Sequence, residues 1–408
     1  SLVDQSTDKV ITRLREGENW QVRLENNRIV LEKKGQKELY GPFANTAGVK
    51  ESGTMASVRA AGGDIVEKEV SGLVVMNQSG KVRIIEAGME PVVRGVAGSA
   101  ALSKSKGLNL VSLDSGAGFK RYRGNMEFVV EGGKLAAVNE LNIEDYLKGV
   151  VPSEIPGHWP AEALKAQAVA ARNFAMKRVQ TSRGGTYNLT NDQYSQVYGG
   201  YDAENPATNK AVDETRGMVM LSRGELVTAY FHSSSGGFTE NCEDVWREQL
   251  PYIKTREDPF DKNDRHYDWQ VTYTVEQLKE KLASAGYEFD TVTDIEELAR
   301  TSSGARVEKL AVKGTDKDDK PVRIEISNAD NVRIALGLKS ALFTFNKVFD
   351  KDKRLSGVTV KGSGWGHGLG MSQWGAQGMA KAGYNYQDIL KYYYTGIKLV
   401  PGYGRSAS

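Results

Sequence analysis

The sequence has little of what disulfide or metal chemistry requires. Its 408 residues include one cysteine, Cys242, which excludes an intrachain disulfide and argues against a cysteine-based structural zinc site. The histidines are not paired at metal-ligand spacing, and no HExxH motif is present. They are His158, His232, His266 and His367. A net charge of only +2 provides no nucleic-acid footprint, so we expect no nucleic-acid partner.

Long apolar runs are also absent, and no segment is long enough to span a membrane. No signal peptide is visible. Because the sequence begins at Ser1, it stays open whether an export segment or a membrane anchor has been trimmed from its start. Hydrophobic residues at 39% and charged residues at 26% are usual for a soluble globular protein. A length of 408 residues favours two domains over one.

Hydrophobic patterning predicts an α+β fold. Residues 1–115 are expected to form a β-rich domain, and residues 116–400 a mixed domain of antiparallel strands packed on several short helices. Residues 401–408 are expected to be a tail. The small, Ser-rich stretch 98–107 is typical of a linker. Because residues 1–115 hold no acid-base pair or metal cluster, we expect them to serve targeting or docking.

Several individual elements follow from turn and capping residues. A capping box of Thr274 and Gln277 predicts a helix that ends at Gly286, and residues 228–231 predict a short strand. Two short helices should follow residue 376, the second capped by Asn385. Apolar alternation on both sides of turn residues predicts four hairpins: 20–24 with 29–31, 74–76 with 82–85, 128–130 with 135–138, and 307–312 with 322–326.

The centre of the sequence is a predicted pair of helices around a short loop. Asn142 is a good N-cap for the first helix, which we expect to stop near Gly149, before Pro152. Pro160 suits the first turn of the second helix, which is rich in alanine and extends to about Gln180. Apolar residues at spacings of three and four predict its buried stripe, namely Leu164, Ala168, Ala171 and Ala175.

One acid lies in the loop between these helices. Glu154 stands between Pro152 and Pro156, and two prolines restrict the backbone enough to fix one side chain. A stiff loop between packed helices suits a catalytic carboxylate, but a solvated loop glutamate has the same pattern. These residues alone leave both alternatives open.

A glycine-rich stretch, residues 362–370, has the composition of a phosphate loop. It lacks the Walker ending and is not a GxGxxG motif after a clear strand, so nucleotide binding is not favoured. Glycine alternates with Trp365, His367 and Leu369, which suggests a tightly folded backbone from which a few side chains project. His367 is either a core histidine or a site residue. Trp365 and Trp374 are either core residues or platforms for sugar rings.

A serine nucleophile is not favoured. His232 is followed by Ser233, Ser234 and Ser235, but no GxSxG motif accompanies them.

Three blocks of sequence, taken in order, are similar to one protein family. The first is Val151-Pro-Ser-Glu-Ile-Pro156 with Glu162-Ala-Leu-Lys-Ala-Gln-Ala-Val-Ala-Ala-Arg172. The second is His232-Ser-Ser-Ser-Gly-Gly-Phe-Thr239, and the third is Gly364-Trp-Gly-His-Gly-Leu-Gly-Met-Ser-Gln-Trp-Gly-Ala376. Over roughly residues 116–400 the chain resembles the stage II sporulation protein D / LytB family, and residues 1–115 lie outside the resemblance.

The resemblance implies a bacterial protein that acts outside the cytoplasm, at the cell wall, on peptidoglycan glycan strands. Family enzymes are lytic transglycosylases that cut between N-acetylmuramic acid and N-acetylglucosamine and prefer strands without stem peptides. Glu154 matches their catalytic glutamate, and because this acid starts protonated, we expect burial in the bound cleft to raise its pKa. Residues 364–376 should fold back beside it. The residues expected to bind substrate are Gln196, Tyr198, His232, Ser233, Ser234, Trp365, His367 and Gln373.

The chain departs from the family at one metal site. Some members carry zinc on two cysteines and a histidine just before the Gln-Val-Tyr block. The corresponding positions here are Leu189, Tyr194 and Ser195, none of which is a zinc ligand, so we expect neither a metal nor another cofactor.

Two rival functions stay open. One is a non-catalytic glycan-binding partner of a cell-wall amidase, because LytB-type relatives are described as amidase enhancers; other sporulation or cell-wall proteins are the alternative partners. The second is a hydrolase, which requires a second carboxylate. The acids considered for that role are Asp145, Asp192 and Glu240.

Overall fold

The structure is a computed structural model of the chain. It describes residues 110–114, 119–131, 134–182 and 186–402, and before them a series of strands. These strands are β1 (Leu2–Asp4), β2 (Lys9–Thr12), β3 (Trp20–Glu25), β4 (Arg28–Lys33), β5 (Leu39–Phe43), β6 (Thr46–Val49), β7 (Met55–Arg59), β8 (Ile65–Glu69) and β9 (Val82–Ile85).

Strands and short helices alternate through the rest of the chain. The strands are β10 (Val111–Asp114), β11 (Phe119–Tyr122), β12 (Asn125–Glu131), β13 (Lys134–Leu141), β14 (Leu189–Thr190), β15 (Val219–Ser222), β16 (Glu225–Leu226), β17 (Phe231–His232), β18 (Trp269–Thr274), β19 (Thr291–Arg300), β20 (Val307–Thr315), β21 (Pro321–Ser327), β22 (Phe343–Phe349), β23 (Leu355–Gly362), β24 (Met371–Ser372) and β25 (Lys398–Val400). The helices are α1 (Ile143–Glu154), α2 (Ala161–Thr181), α3 (Pro206–Glu214), α4 (Cys242–Trp246), α5 (Val275–Ser284), α6 (Ala329–Ala335), α7 (Gln373–Lys381) and α8 (Tyr386–Tyr393), with a 3₁₀ turn at Tyr201–Ala203.

This mixture of helices and mostly antiparallel strands confirms the predicted α+β class. Among the helices of the described residues, none combines the length and the apolar character needed to cross a bilayer.

The chain divides into two compact units. The first unit comprises Ser1–His158, Ala171–Val219 and Val400–Ser408. The second unit comprises Trp159–Ala170 and Met220–Leu399. Glu154 therefore belongs to the first unit, and the residues of the second and third sequence blocks belong to the second unit.

A seven-stranded sheet is the main β structure of the first unit. Its order is β14-β9-β13-β12-β6-β1-β2, antiparallel except between β14 and β9. The predicted hairpins at 20–31 and 128–138 are confirmed as β3–β4 and β12–β13. Residues 82–85 form β9, which pairs with β13, whereas their predicted partner at 74–76 lies outside the described residues, as does the predicted linker.

The predicted start of α1 is confirmed and its predicted end is wrong. The Asn142 side chain accepts from the Glu144 N–H at 2.8 Å, but the helix continues past Gly149 and through Pro152 to Glu154. Pro152 removes one main-chain donor only. The turn beyond it is closed by the Ile155 N–H, which donates to the Val151 carbonyl at 3.0 Å. Glu154 is consequently the last residue of a helix and not a loop residue.

A buried ion pair fixes α1 inside the first unit. Arg172 of α2 donates from Nε and Nη2 to the two carboxylate oxygens of Glu144, at 3.0 and 2.7 Å. Both side chains are buried, and the Gly217 N–H also donates to Glu144 at 3.0 Å. A two-point contact of this kind restricts rotation as well as distance. It therefore sets the orientation of the helix that carries Glu154.

The long helix α2 follows its prediction closely. It ends at Thr181, one residue beyond the expected Gln180, and begins directly after Pro160. All four residues of the predicted stripe are buried, namely Leu164, Ala168, Ala171 and Ala175.

The second unit is built on two three-stranded sheets, β18-β23-β22 and β19-β20-β21, which share a hydrophobic core with α5 and α6. The capping box of Thr274 and Gln277 is present, and the predicted hairpin at 307–326 is confirmed as β20–β21. The predicted strand at 228–231 is too long. Only its last residue enters β17, because the Tyr230 N–H donates to the Thr228 carbonyl at 3.1 Å and bends the chain there.

The domain boundary near residue 115 stays a prediction, and truncation tests it. A chain that begins near residue 108 is expected to fold and to act on soluble glycan strands, because the apolar hairpins before it can bury their own core. The strands β6 and β9 flank the β12–β13 hairpin, so their loss uncovers two sheet edges. Solubility and activity of the shortened chain are the measurements. An insoluble or inactive product would assign these strands to the same domain as Glu154.

Candidate functional site

Glu154 lies at the C-terminal end of α1 with its side chain partly exposed. Its Oε1 accepts a hydrogen bond from the Val197 N–H at 2.9 Å. Val197 belongs to the loop 191–200 that follows β14, and 39% of it is exposed. A main-chain donor cannot rotate away as a side chain can, so this contact fixes one oxygen of the carboxylate.

The residues on either side of Val197 anchor this loop in the first unit. Gln196 and Tyr198 are 1% and 5% exposed. The Tyr146 hydroxyl donates to Gln196 Oε1 at 3.0 Å, and the Tyr198 hydroxyl donates to Asn139 Oδ1 at 2.8 Å. The buried side chains of Gln196 and Tyr198 thus anchor the loop, while the Val197 N–H between them donates to Glu154. Their predicted role in contacting substrate stays a prediction.

Tyr146 links α1, the loop and the acid electrostatically. Burial raises the pKa of Tyr146 well above its usual value, and electrostatic contributions from Glu154 and Tyr198 act in the same direction. The phenol consequently remains neutral and can donate to Gln196. Gln196 Nε2 is buried and has no hydrogen-bond partner within the part of the chain that the structure describes. Gln196 directly precedes Val197, so this unused donor belongs to the residue next to the one that contacts the acid.

Two acids weighed as a second carboxylate have other bonds in the first unit. Asp145 lies 4.0 Å from Arg123 Nε, and burial raises its pKa. Asp192 Oδ1 accepts from the Thr190 hydroxyl at 2.8 Å and from the Tyr194 N–H at 3.0 Å, which makes it a turn-forming residue.

The residues at the zinc positions do not fit a metal. Leu189 is buried in β14, and Tyr194 is 78% exposed. The Ser195 hydroxyl accepts from the Thr190 N–H at 3.1 Å. None of the three offers the thiolate or imidazole that zinc prefers. Across the described residues, no group of three or more His, Cys, Asp or Glu side chains could hold a metal ion.

His367 is bonded to the main chain of the second unit through both ring nitrogens. Its Nδ1 accepts from the Leu369 N–H at 2.9 Å, so the proton is on Nε2, which lies 3.1 Å from the Phe231 carbonyl. Burial lowers the pKa of His367 to about 4, so the ring is neutral at physiological pH. These bonds leave no ring nitrogen for a substrate, and the predicted role of His367 in the cleft stays a prediction.

His232 differs from His367 in having one unused nitrogen. Its Nδ1 lies 3.1 Å from the Leu369 carbonyl and therefore carries the proton. Burial lowers the pKa of His232 well below its usual value, and electrostatic contributions from His367 and Arg306 act in the same direction. Its Nε2 is buried without a partner among the described residues.

The serines after His232 are bonded within the second unit. The Ser233 carbonyl accepts a hydrogen bond from the Trp374 N–H at 3.0 Å, and the Ser234 hydroxyl donates to Asp264. Ser234 also exchanges two main-chain hydrogen bonds with Trp365, at 3.0 and 2.9 Å. The second and third sequence blocks are thereby joined as neighbouring chain segments. Serine chemistry gains no support, because the buried Ser234 hydroxyl donates to the Asp264 carboxylate and not to a histidine that could activate it.

The third block has the backbone that its glycines predict. Gly364, Gly366, Gly368 and Gly370 all have positive φ, at 79°, 115°, 82° and 67°. At Gly368 an added Cβ would lie 2.4 Å from Arg306 Nη2. Of the side chains that project, Trp365 is 41% exposed, whereas Gln373 is 8% exposed and lies 3.5 Å from Gln167 Oε1.

A pair of buried carboxylates shares one hydroxyl group in the second unit. The Ser235 hydroxyl lies 2.8 Å from Asp258 Oδ2 and 2.8 Å from Asp261 Oδ2. It has a single proton and can donate to only one of them at a time. Burial and the Asp258 charge raise the pKa of Asp261 to about 6. The sequence motifs around His232 and Trp365 include neither Asp258 nor Asp261, so they do not predict this pair.

This pair predicts a pH dependence of stability. The folded state keeps a proton on Asp261 up to a pKa of about 6, whereas the unfolded state releases it near the usual aspartate pKa of 3.8, so the free energy of unfolding falls as pH rises from about 4 to 6. Between pH 4.5 and 7 the free energy of unfolding of the wild type is expected to fall by an amount on the order of 2 kcal/mol. Asp261→Asn mimics the protonated form at every pH, so the variant is expected not to show this fall. Urea unfolding at both pH values measures it. The exposed Asp268→Asn is the control, and parallel pH profiles for wild type and Asp261→Asn would contradict the assignment.

Sequence reasoning also missed a buried ion pair. Glu240 and Arg306 are both buried, with Arg306 Nη1 3.7 Å from Glu240 Oε2. Arg306 Nη2 donates to the carbonyls of Ser235 and Phe238, at 2.9 and 2.8 Å. Glu240 is a candidate for the second carboxylate of a hydrolase, but its oxygens accept four hydrogen bonds from neighbouring donors. It acts as a structural acid in this unit.

Two family descriptions match the chain. The SpoIID model, described as stage II sporulation protein, matches residues 131–221, and a domain of unknown function, DUF8618, matches residues 239–370. The first match includes Glu154, Gln196 and Tyr198. The second includes Trp365 and His367.

Three relatives show how far the similarity extends. Stage II sporulation protein D of Bacillus subtilis is 32% identical over 280 residues, which is 64% of this chain and 76% of that protein. An uncharacterised protein of Brachyspira hyodysenteriae is 34% identical over 68% of this chain and 72% of its own length. The amidase enhancer of Bacillus subtilis is 34% identical over 62% of this chain and 40% of its own length. The chain belongs to the stage II sporulation protein D (SpoIID/LytB) family.

Proposed function

We propose that this chain is a peptidoglycan lytic transglycosylase that acts outside the cytoplasm, with Glu154 as its general acid and base. Family membership gives the chain a cell-wall-related function. The finer assignment is supported chiefly by the contact between the Glu154 carboxylate and the Val197 N–H at 2.9 Å. A partly exposed acid that is fixed by a main-chain donor is suited to proton transfer.

The reaction needs only this one acid. Neutral Glu154 donates its proton to the glycosidic oxygen, the bond from that oxygen to the muramyl C1 breaks, and positive charge develops at C1. The resulting carboxylate accepts the proton of the C6 hydroxyl of the same sugar, whose oxygen attacks C1. A 1,6-anhydro ring closes, and Glu154 is again protonated. Because the nucleophile is tethered to the reacting sugar, no water has to be positioned.

The state of the other acids supports this route over hydrolysis. Hydrolysis of a glycosidic bond usually requires two carboxylates that face the scissile bond. Asp145 lies beside Arg123, Asp192 forms a turn, and Glu240 is buried. The Val197 N–H has a further role in the one-acid route, because it stabilises the carboxylate formed after the first proton transfer.

Mass analysis of products from denuded glycan strands tests the proposal. Transglycosylation leaves anhydromuramyl ends, whereas hydrolysis adds one water and leaves reducing ends. The expected product is a strand with anhydro ends that sodium borohydride does not reduce. Reducible muramyl ends would support the hydrolase instead, and unchanged strands would exclude both activities.

A second candidate function comes from the relative that is named an amidase enhancer. In that case the chain binds glycan strands without cutting them and stimulates a cell-wall amidase. Release of stem peptides by the amidase, measured with and without this chain, tests it. Stimulation of this release by a chain that leaves denuded strands uncut would favour the enhancer over the transglycosylase.

Chelation is expected to leave strand cleavage unchanged. Leu189, Tyr194 and Ser195 supply no thiolate or imidazole, so no step should depend on zinc. Activity after exhaustive treatment with a chelator, together with elemental analysis of the purified protein, measures this. Stoichiometric zinc that is lost in step with activity, and restored with it on adding zinc, would refute the prediction.

A further inference from the structure

An exposed tryptophan in the second unit is surrounded by basic groups. The Trp365 ring stands edge-on to His266, with ring centroids 4.5 Å apart at 81°. Lys339 Nζ lies 5.9 Å from the centroid of the indole and 2.8 Å from His266 Nδ1. Arg265 Nε lies 3.0 Å from His266 Nε2. These four residues are called the Trp365 platform below.

The backbone holds this platform in place without a ligand. The Gly364 N–H donates to the His266 carbonyl, and the Gly366 N–H donates to the Lys339 carbonyl, both at 2.9 Å. Trp365 itself is bonded to Ser234 in both directions. The segments that supply the ring and its basic neighbours are therefore tied together by main-chain bonds. Little ordering is left to occur on binding, which favours affinity.

The basic groups of the platform have bonding capacity to spare. Within the part of the chain that the structure describes, neither Lys339 nor Arg265 forms a salt bridge with a carboxylate. Burial and the Lys339 charge lower the pKa of His266, while the Asp264 charge opposes this and the Arg265 charge adds to it. A neutral imidazole has one lone pair and can accept from one of the two cations. At least one charged donor is left for a ligand.

A half-exposed indole suits one part of a ligand, and two cations that have no carboxylate partner among the described residues suit another. The 41% exposed indole offers an apolar face to the C–H side of a pyranose ring. Lysine and arginine donors beside it suit a negatively charged substituent on that ring. A muramyl sugar without its stem peptide has such a substituent, because its lactyl group then ends in a free carboxylate. With the peptide attached, the same group is an uncharged amide.

We propose that the Trp365 platform binds the muramyl sugar of denuded glycan, with the indole on the pyranose ring and Lys339 and Arg265 on the lactyl carboxylate. This inference rests on the proposed function for the identity of the glycan. It adds a physical reason for selecting strands without stem peptides. The same chemistry could recognise a phosphate of another wall polymer, which the test separates.

Binding is measured by calorimetry in a Glu154→Gln background, so that no strand is cut during titration. Two ligands are compared, denuded glycan oligomers and the same oligomers with their lactyl carboxylates converted to primary amides. Amidation is expected to weaken binding about tenfold, which corresponds to the loss of one charge-assisted contact. In Lys339→Gln with Arg265→Gln, native and amidated strands should bind alike. Trp365→Leu should weaken both ligands by a similar factor.

A charge-matched control and a polymer control complete the test. Lys317→Gln with Lys351→Gln removes two exposed positive charges elsewhere in the second unit and should preserve the tenfold difference. Equal binding of native and amidated strands by the chain with an intact platform would overturn the proposal. So would no binding of either strand, or tighter binding of a glycerol phosphate polymer than of denuded glycan. Strand cleavage is assayed separately on the chain with Glu154, so a failure of the enzymatic assignment is distinguishable from a failure of the platform.

Discussion

Glu154→Gln is expected to lower strand cleavage by roughly 10²-fold or more while the protein stays folded. The amide keeps the size of the side chain and an oxygen that can still accept from the Val197 N–H, a contact of 2.9 Å in the structure. It has no proton to transfer to the glycosidic oxygen. The rate of formation of anhydromuramyl ends is the measurement, with circular dichroism and urea unfolding to confirm the fold.

Glu131→Gln is the matched control for this variant. Glu131 is an exposed acid at the end of β12 in the same unit, and its replacement should leave the rate unchanged. If Glu154→Gln formed anhydro ends at close to the wild-type rate, Glu154 would not be the acid. Equal loss in both variants would point to a general effect of charge on the binding of strands.

Local signals account for the parts of the fold that the sequence predicts well. A side-chain cap acts within three residues, so the helix starts at Asn142 and Thr274 are readable from adjacent residues. Alternation around a turn is equally local, and the β20–β21 hairpin follows it. The four positive-φ glycines from Gly364 to Gly370 are a further case, because alternating glycine itself implies an unusual backbone.

The end of α1 shows why local rules fail where tertiary contacts decide. Pro152 favours a stop, but the Gly149 carbonyl near it accepts both from the Ser153 hydroxyl at 2.8 Å and from the Gly199 N–H at 3.1 Å. The second donor comes from the 191–200 loop, which a reading of residues 142–156 cannot include. These contacts hold the last turn of α1, which reaches Glu154 although Pro152 deprives the Lys148 carbonyl of its usual helical donor.

The candidate site also has features that the sequence predicts and others that depend on tertiary contacts. Motif similarity predicts Glu154, Gln196 and Trp365 as site residues, but it does not predict what each of them contacts. The Val197 amide carries no side-chain signal at all, since any residue but proline supplies an N–H there. Asp261 and Arg306 were missed because their partners are distant in sequence and no motif contains both members. Such pairs become visible only when the fold brings the segments together.

Glu240→Gln is expected to destabilise the second unit by about 3–5 kcal/mol. The substitution leaves the buried Arg306 guanidinium without its negative partner, which lies 3.7 Å away in the structure. It also replaces a carboxylate oxygen that accepts from donors such as the Thr301 and Ser303 hydroxyls, each at 2.7 Å. Urea unfolding followed by circular dichroism measures the change. A loss of this size is a large part of the stability of a typical domain, so a substantial unfolded fraction at 37 °C is part of the expected result.

Glu243→Gln provides the comparison, because it breaks an ion pair of the opposite kind. Glu243 lies 2.6 Å from Lys254, and the two side chains are 33% and 38% exposed. Water screens a pair of this exposure, so its loss should cost about 1 kcal/mol or less. The contrast between the variants isolates the effect of burial, since both remove one glutamate charge from the same unit. If both variants lost the same small amount, Arg306 would be stabilised by its bonds to the Ser235 and Phe238 carbonyls and not by Glu240.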